Sequence, residues 1–405
     1  MTVLVLLAPS DYYVLLEIFI FLAVAQVIRS LTKKAGFPEI VADLLAGMLI
    51  GSYALGGLLN SLFGVQLFAV TGGLLLFANF AIVLVLFGGG LGSGFTSLRR
   101  AGLAAVGAAI GGDLAAFGLT YAVFSQFYSM DSALLIAVAA AATSAAVAIS
   151  LVRGEGLRPS PGVEFFLTAA ALDDVVALVL LSIVLALLSG TADPVHLTGV
   201  VLTSVVAWVV LLLASVVIVP RLFKIRVLQN AETVPFTLLF ILIAIVLALG
   251  FSPIIGAYVA GLAVAESVVA QRTRELTEVL VAIFGALFFI VIGAEFDVGL
   301  LLHPAVIGLA LVLAATAVIG KVVGVYPFAR MRLRSAGAAR AATIGMIPRG
   351  EIGLVVGAIG FGDGYLNQEM LGEVVVMAII TTLLGAVLFR LARSGFDETV
   401  PSAPT

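Results

Sequence analysis

The sequence predicts an all-α polytopic membrane protein of about thirteen transmembrane helices, built as two inverted six-helix repeats joined by a linker helix, with broken crossing helices near its centre. Three observations carry that expectation: the apolar composition, the placement of the basic residues, and a short motif that recurs in the two halves. Of the 405 residues, 62% are hydrophobic and 11% charged, and the mean hydropathy is +1.27. Water cannot be the solvent for such a surface. A bilayer core about 30 Å thick takes roughly 20 apolar residues per helical span, so the chain reads as one membrane domain, 1–405, with short connections and no room for a soluble domain. With no cysteine, disulfides and thiolate metal sites are excluded. The two histidines, His196 and His303, are too few and too peripheral for a histidine-based metal site. The opening MTVLVLLAPSDYY lacks a basic n-region and a small-residue cleavage site, so no removable signal peptide is expected and the mature chain is read as starting near Met1.

Apolar runs broken at charges, Pro and Gly place helices near 12–30, 38–58, 70–96, 101–126, 132–152, 162–189, 195–219, 234–250, 252–268, 276–295, 304–328, 337–361 and 366–390. The first repeat is then 1–190 (helices 1–6), the linker helix 195–219, the second repeat 234–393 (helices 8–13) and the tail 394–405. The basic residues test this division, because Lys and Arg are retained on the cytoplasmic side. Arg29, Lys33 and Lys34 fall in the first connection, Arg99 and Arg100 in the third, Arg153 and Arg158 in the fifth. Arg221, Lys224 and Arg226 follow in the seventh, Arg272 and Arg274 in the ninth, and Arg330, Arg332, Arg334 and Arg340 in the eleventh. Arg390 and Arg393 open the tail, and the even-numbered connections hold none. That alternation predicts an N-terminus outside and a C-terminus in the cytoplasm of a multi-pass protein of the cell (inner) membrane.

The motif Gly36-Phe37-x-x-Ile40 with Ala46-Gly47 recurs at an offset of 214 as Gly250-Phe251-x-x-Ile254 with Ala260-Gly261, opening helices 2 and 9. An odd linker between two six-helix copies inverts the second, a topology that lets a central site open to alternate sides.

Few ionisable residues lie far from an expected membrane surface, and each costs several kcal/mol there unless paired, hydrated or neutralised. Asp173 and Asp174, in LTAAALDDVVALVLL, sit near the midpoint of helix 6. Neighbours on a helix point about 100° apart, so both can face one polar cavity. Two carboxylates so close do not both ionise cheaply, and the pair takes protons or a hard cation; that competition is the chemistry of an exchanger. Lys321, in helix 11, needs a carboxylate partner. Asp173 is one candidate, either as a bond that breaks when a ligand arrives or as a static bridge, and Asp113 of helix 4 is another. In helix 12, IGMIPRGEIGLVV places Pro348, Arg349, Gly350 and Glu351 mid-span, where proline loosens the helix. Arg349 and Glu351 either satisfy each other or let Glu351 touch the ion. The matching helix 5 holds Thr143 and Ser144, which serve either as oxygen ligands beside a second break or as ordinary small packing residues. Glu17 and Asp43 are placed within a few turns of the surface and read as hydrated. Gly88 to Gly94 has the outline of a phosphate loop but no following Lys-Ser or Lys-Thr, so close helix packing is the better reading. Gly360-Phe361-Gly362-Asp363 matches the G-x-G-D of intramembrane aspartyl proteases, a distant alternative whose Tyr-Asp partner the chain lacks.

Taken in order, GFPEIVADLLAGMLIG, Thr143-Ser144, LDDVV at 172–176, GFSPIIGAYVAGLAVAE, FFIVIGAEFD, Lys321 and PRGE at 348–351 resemble the monovalent cation/proton antiporter superfamily, particularly bacterial and archaeal sodium/proton antiporters with a double-aspartate motif. The resemblance runs over nearly the whole chain. It implies a secondary transporter, not an enzyme, with no cofactor beyond the transported Na+ and H+. It implies a homodimer serving pH homeostasis, whose core of helices 4–6 and 11–13 carries the site across the lipid bilayer like an elevator. On this sequence it implies Asp174 as principal cation and proton ligand, and Asp173 as its partner, paired with Lys321 and conferring electrogenic exchange. Thr143 and Ser144 become auxiliary ligands, with Asp113, Arg349 and Glu351 in support. Ala145 stands where many relatives have Pro after the Thr-Ser of helix 5. Gly90-Leu91-Gly92 replaces the acidic run of many potassium effluxers, and neither a nucleotide-binding regulatory domain nor a nucleic-acid partner is expected. A potassium/proton antiporter of the same fold is the nearest alternative.

Overall fold

The computed structural model describes residues 9–33, 37–64, 68–93, 102–158, 160–188, 215–230, 232–248 and 253–399, with 206, 210, 212 and 213. Among the described residues every regular element is helical. Among the described residues eight helical spans are long and apolar enough to cross a membrane, and four shorter apolar helices accompany them. The helices in chain order, of which α2 with α3 and α11 with α12 each make one span, are α1 (Pro9–Lys33), α2 (Glu39–Ile50), α3 (Leu55–Phe63), α4 (Gly72–Ser93), α5 (Gly102–Phe124), α6 (Met130–Ala141), α7 (Ala145–Gly154) and α8 (Pro161–Leu188). After a short turn of helix at Arg226–Asn230 come α9 (Val234–Ala248), α10 (Pro253–Ala265), α11 (Ala270–Leu280), α12 (Ala286–Glu295), α13 (Pro304–Leu333), α14 (Ala336–Gly345), α15 (Glu351–Gly362) and α16 (Gln368–Ala392). A π-helical turn at Val281–Gly285 joins α11 to α12 in one span. Most of the expected linker helix 195–219 lies outside the described residues, as do His196, Arg99, Arg100 and the motif residues Gly36, Gly250 and Phe251.

The helices gather into two compact units, Met1–Val85 with Glu278–Pro304, and Leu86–Thr277 with Ala305–Thr405. In the first, α2 crosses α12 backbone to backbone. A Cβ on Gly47 would collide with the Ile290 carbonyl, and one on Gly293 with the Leu44 carbonyl. Small residues on both sides are what permits this approach, which matters where lipid removes the hydrophobic drive between helices. Phe21, Ala46, Leu74, Leu287 and Ile290 fill the space around the crossing. Helix α2 stops at Ile50, where Gly51 lies against the Ala294 backbone, and the helix resumes at Leu55, so that Glu39–Phe63 forms one candidate span.

Glu17 and Asp43 depart from the expectation of hydrated surface acids: they are 2% and 1% exposed. Thr71 donates to Glu17 at 2.6 Å. Arg29 reaches Asp43 through Nε and Nη2, both at 2.6 Å. The reason is that Arg29 belongs to the last turns of α1 rather than to a connection, and its planar fork matches a carboxylate.

In the second unit, Gly90 of α4 and Gly261 of α10 repeat the arrangement, the first against the Tyr258 carbonyl and the second against the Phe87 carbonyl. Within the glycine run of α4, Gly90 is the close packing contact. Helices α5 and α13 meet through Gly111, Gly320 and Gly324, a Cβ on Gly324 colliding with the Gly111 carbonyl. In the 3-10 helix Arg393–Thr399 that follows α16, Phe396 is buried against Phe166 and Phe389, with ring centroids 6.3 and 6.0 Å away, so the first residues of the tail are docked.

Gly47→Ala should therefore lower thermal stability in detergent, overpacking costing about 1–3 kcal/mol, whereas Gly92→Ala, which meets nothing within 4 Å, should not. Equal melting temperatures for the two variants would contradict the α2–α12 contact.

Candidate functional site

Two spans are interrupted at their middles. α6 ends at Ala141 and α7 begins at Ala145; α14 ends at Gly345 and α15 begins at Glu351. Pro348 accounts for the second break, since it has no N–H to continue the helical ladder. The first break has no proline, and side chains replace it. The Ser144 hydroxyl accepts from Val147 N at 3.2 Å and caps α7, while Asp173 Oδ2 accepts from Thr143 N at 2.6 Å. Those bonds satisfy N–H groups that an unbroken helix would have used internally. The breaks cross and bind each other: Ser144 N donates to the Pro348 carbonyl at 3.0 Å and Thr143 Oγ1 to the Met346 carbonyl at 3.0 Å.

Each break leaves one helix end partly positive and one partly negative. The charges present match those ends. Glu351 is the first residue of α15, and Ser144 Oγ at the head of α7 donates to its Oε2 at 2.5 Å. Arg349 Nη1 lies over the end of α14, donating to the Met346 carbonyl and to Thr143 Oγ1, each at 3.1 Å, and its Nη2 donates to the Ala317 carbonyl of α13 at 2.9 Å.

Lys321 of α13 is wholly buried, and both partners considered from the sequence hold it at once: its Nζ is 2.5 Å from Asp113 Oδ1 and 2.6 Å from Asp173 Oδ1. Glycine makes room for its stem. A Cβ on Gly112 would stand 2.9 Å from Lys321 Cδ. Asp174, 3% exposed, has a buried Oδ1 with no hydrogen-bond partner, and so does Asp113 at Oδ2. Asp174 lies in the field of Glu351, Asp173, Asp113 and Lys321. One chain of bonds thus joins Asp113, Lys321, Asp173, Thr143 and Arg349, with Ser144 and Glu351 across the crossing; Asp174 stands beside it with an uncommitted oxygen. Among the described residues, Asp113, Asp173 and Asp174 gather around the ammonium of Lys321. Holding three ionised carboxylates around one ammonium in an apolar interior is costly.

Three buried polar residues of α16 escaped the sequence reading. Thr381 and Thr382 bond the backbone of Arg349, and Glu373 accepts a short hydrogen bond from the Tyr128 hydroxyl. Burial and the Glu373 carboxyl hold the Tyr128 phenol above its usual range. Their signal was present as TT and a lone Glu inside the apolar run GEVVVMAIITTLLG.

Residues 18–393 match the family described as sodium/hydrogen exchanger, transmembrane. The chain is 25% identical over 394 residues to the Na(+)/H(+)-K(+) antiporter GerN of Bacillus cereus, covering 96% of this chain and 98% of that protein. It is 25% identical over 395 residues to the probable Na(+)/H(+) antiporter 3 of Methanocaldococcus jannaschii, covering 94% and 96%. Among solved structures it is similar to the sodium proton antiporter MjNhaP1 of that archaeon, with a TM-score of 0.71 and 15% identity over 95% of this chain and 97% of that one, a likeness of fold.

Replacing Lys321 by Met leaves two buried carboxylates without their cation and should cost about 3–5 kcal/mol of stability. Adding Asp113→Asn should restore part of it. Thermal unfolding in detergent reads both, and a Lys321→Met protein as stable as the native one would contradict the ion triad.

Proposed function

The chain belongs to the sodium/hydrogen exchanger family, and we propose that it is a secondary active sodium/proton antiporter exchanging Na+ or Li+ for H+ at Asp173 and Asp174. The observation that carries this reading is the uncommitted Asp174 oxygen beside Asp173, where two helix breaks cross. Asp174 is the principal ligand for cation and proton. Asp173 shares the cation after releasing Lys321, and Thr143 and Ser144 supply neighbouring oxygens. The double hold on Lys321 supports a coupling role: when a cation draws Asp173 away, the ammonium keeps Asp113. Arg349 and Glu351 hold the breaks in register.

Charge balance supports electrogenic exchange. Asp173 and Asp174 together can carry two protons in one state and share one Na+ in the other, loads of two charges and one. Exchange of those two loads moves charge.

The full architecture in this reading is thirteen helices in two inverted repeats, one domain over 1–405, with the 195–219 linker between them. The matching motif residues Gly47 and Gly261 support it, since each forms a backbone contact with a helix that the repeat assigns to the opposite copy. The unit bearing the site moves as an elevator, within a homodimer, in a cell membrane with the C-terminus cytoplasmic. No organic cofactor enters the exchange. Potassium is the second reading, favoured by the name of the Bacillus cereus relative, a Na(+)/H(+)-K(+) antiporter.

In proteoliposomes, added sodium should dissipate an imposed pH gradient, and Asp174→Ala should abolish that flux; undiminished exchange by the variant would sink the site assignment. Because a protonated carboxyl does not bind the cation, the apparent KM for Na+ should rise, once the site is mostly protonated, by up to about tenfold per unit fall in pH for each proton that must leave. A KM independent of pH would rule out competition. The flux should also respond to an imposed voltage, and insensitivity would contradict the unequal loads.

A further inference from the structure

Thr381 and Thr382 of α16 are buried and take no part in the exchange proposed above. Thr381 Oγ1 accepts from Arg349 N at 3.3 Å, and Thr382 Oγ1 donates to Arg349 O at 2.5 Å. The two hydroxyls therefore satisfy both backbone groups of one residue inside the α14–α15 break, where no helical partner exists for them. From that residue the bonds continue to the acids. The Arg349 side chain donates to Thr143 Oγ1, and Thr143 N donates to Asp173.

The sequence places these threonines in a second relation to the acids. At an offset of 208 residues, Gly112-Asp113 falls on Gly320-Lys321, and Asp173-Asp174 falls on Thr381-Thr382. The two pairs do parallel work. Asp173 takes the N–H of Thr143 at one break, and Thr381 takes the N–H of Arg349 at the other. One half of the chain brings Asp113, Asp173 and Asp174; the other brings Lys321, Arg349 and two hydroxyls where the first half has acids.

We propose that Thr381 and Thr382 are positioning residues of the ion site: by fixing the backbone of Arg349 they set Thr143 and Asp173, and with them the affinity for the transported cation. This rests on the reading of Asp173 and Asp174 as the exchange site. Hydroxyls suit the task because they anchor a broken backbone without adding charge to a site already rich in carboxyls.

The test compares Thr382→Val, which keeps shape and loses the hydrogen bond, with Thr382→Ser, which keeps the bond, in sodium-driven proteoliposome exchange. The expected result is an apparent KM for Na+ raised about 5–10-fold in Thr382→Val, a maximal rate changed less than twofold, and a Thr382→Ser protein within twofold of native. An unchanged KM in Thr382→Val, or the same defect in Thr382→Ser, overturns the proposal. Should Thr382→Val not reconstitute, Thr381→Val carries the test: a raised KM supports the proposal and a native one overturns it. Asp174→Ala, measured alongside, separates the two readings. Normal exchange by that variant refutes the site itself, whereas an inactive Asp174→Ala with a native-like Thr382→Val refutes only the positioning role.

Discussion

Lys321 between Asp113 and Asp173 is the interaction on which the rest of the site depends. An ammonium group inside an apolar span persists only with a counter-charge in contact, and one serving two carboxylates draws three helices, α5, α8 and α13, to a common point. Ordinary side chains would hold those helices too far apart. Gly111, Gly112, Gly320 and Gly324 remove the obstruction, so the glycines of this region are a geometric requirement of the ion triad. The same triad defines what is left over. With Asp113 and Asp173 sharing Lys321, the buried Asp174 Oδ1 is left without a hydrogen-bond partner among the described residues.

The broken helices answer to the second constraint, that backbone polar groups within a membrane find partners inside the protein. Each break exposes such groups, and each is repaired by a side chain from the helix behind it: Asp173 at Thr143, Thr381 and Thr382 at Arg349. The breaks then repair one another through the Ser144–Pro348 bond. An acid used for repair can also take a proton or cation, so in the proposed exchange Asp173 serves both the backbone and the ion. A threonine used for repair carries no charge and serves only the backbone.

Much of this was legible in the chain. Composition and the spacing of basic residues are enough for a helical membrane protein, because the cost of placing a residue in lipid belongs to that residue alone. The buried charges Asp113, Asp173, Asp174, Lys321, Arg349 and Glu351 stood out for the same reason, and so did the break at Pro348. The departure of Ala145 from proline was a weaker guide: the first break exists without it, made by the Ser144 cap and by an acid thirty residues away in sequence.

Tertiary structure decided the partnerships. Lys321 had two possible carboxylates and took both, across separations of 208 and 148 residues. Glu17 and Asp43 read as surface acids until Thr71 and Arg29 were seen to cover them. Thr381, Thr382 and Glu373 passed unnoticed because a hydroxyl or a single acid in an apolar run carries no sign of its partner. Hydropathy reports what a side chain costs in lipid, one residue at a time. Which group offsets that cost depends on which helices lie side by side, and only the packing of glycine against backbone settles that.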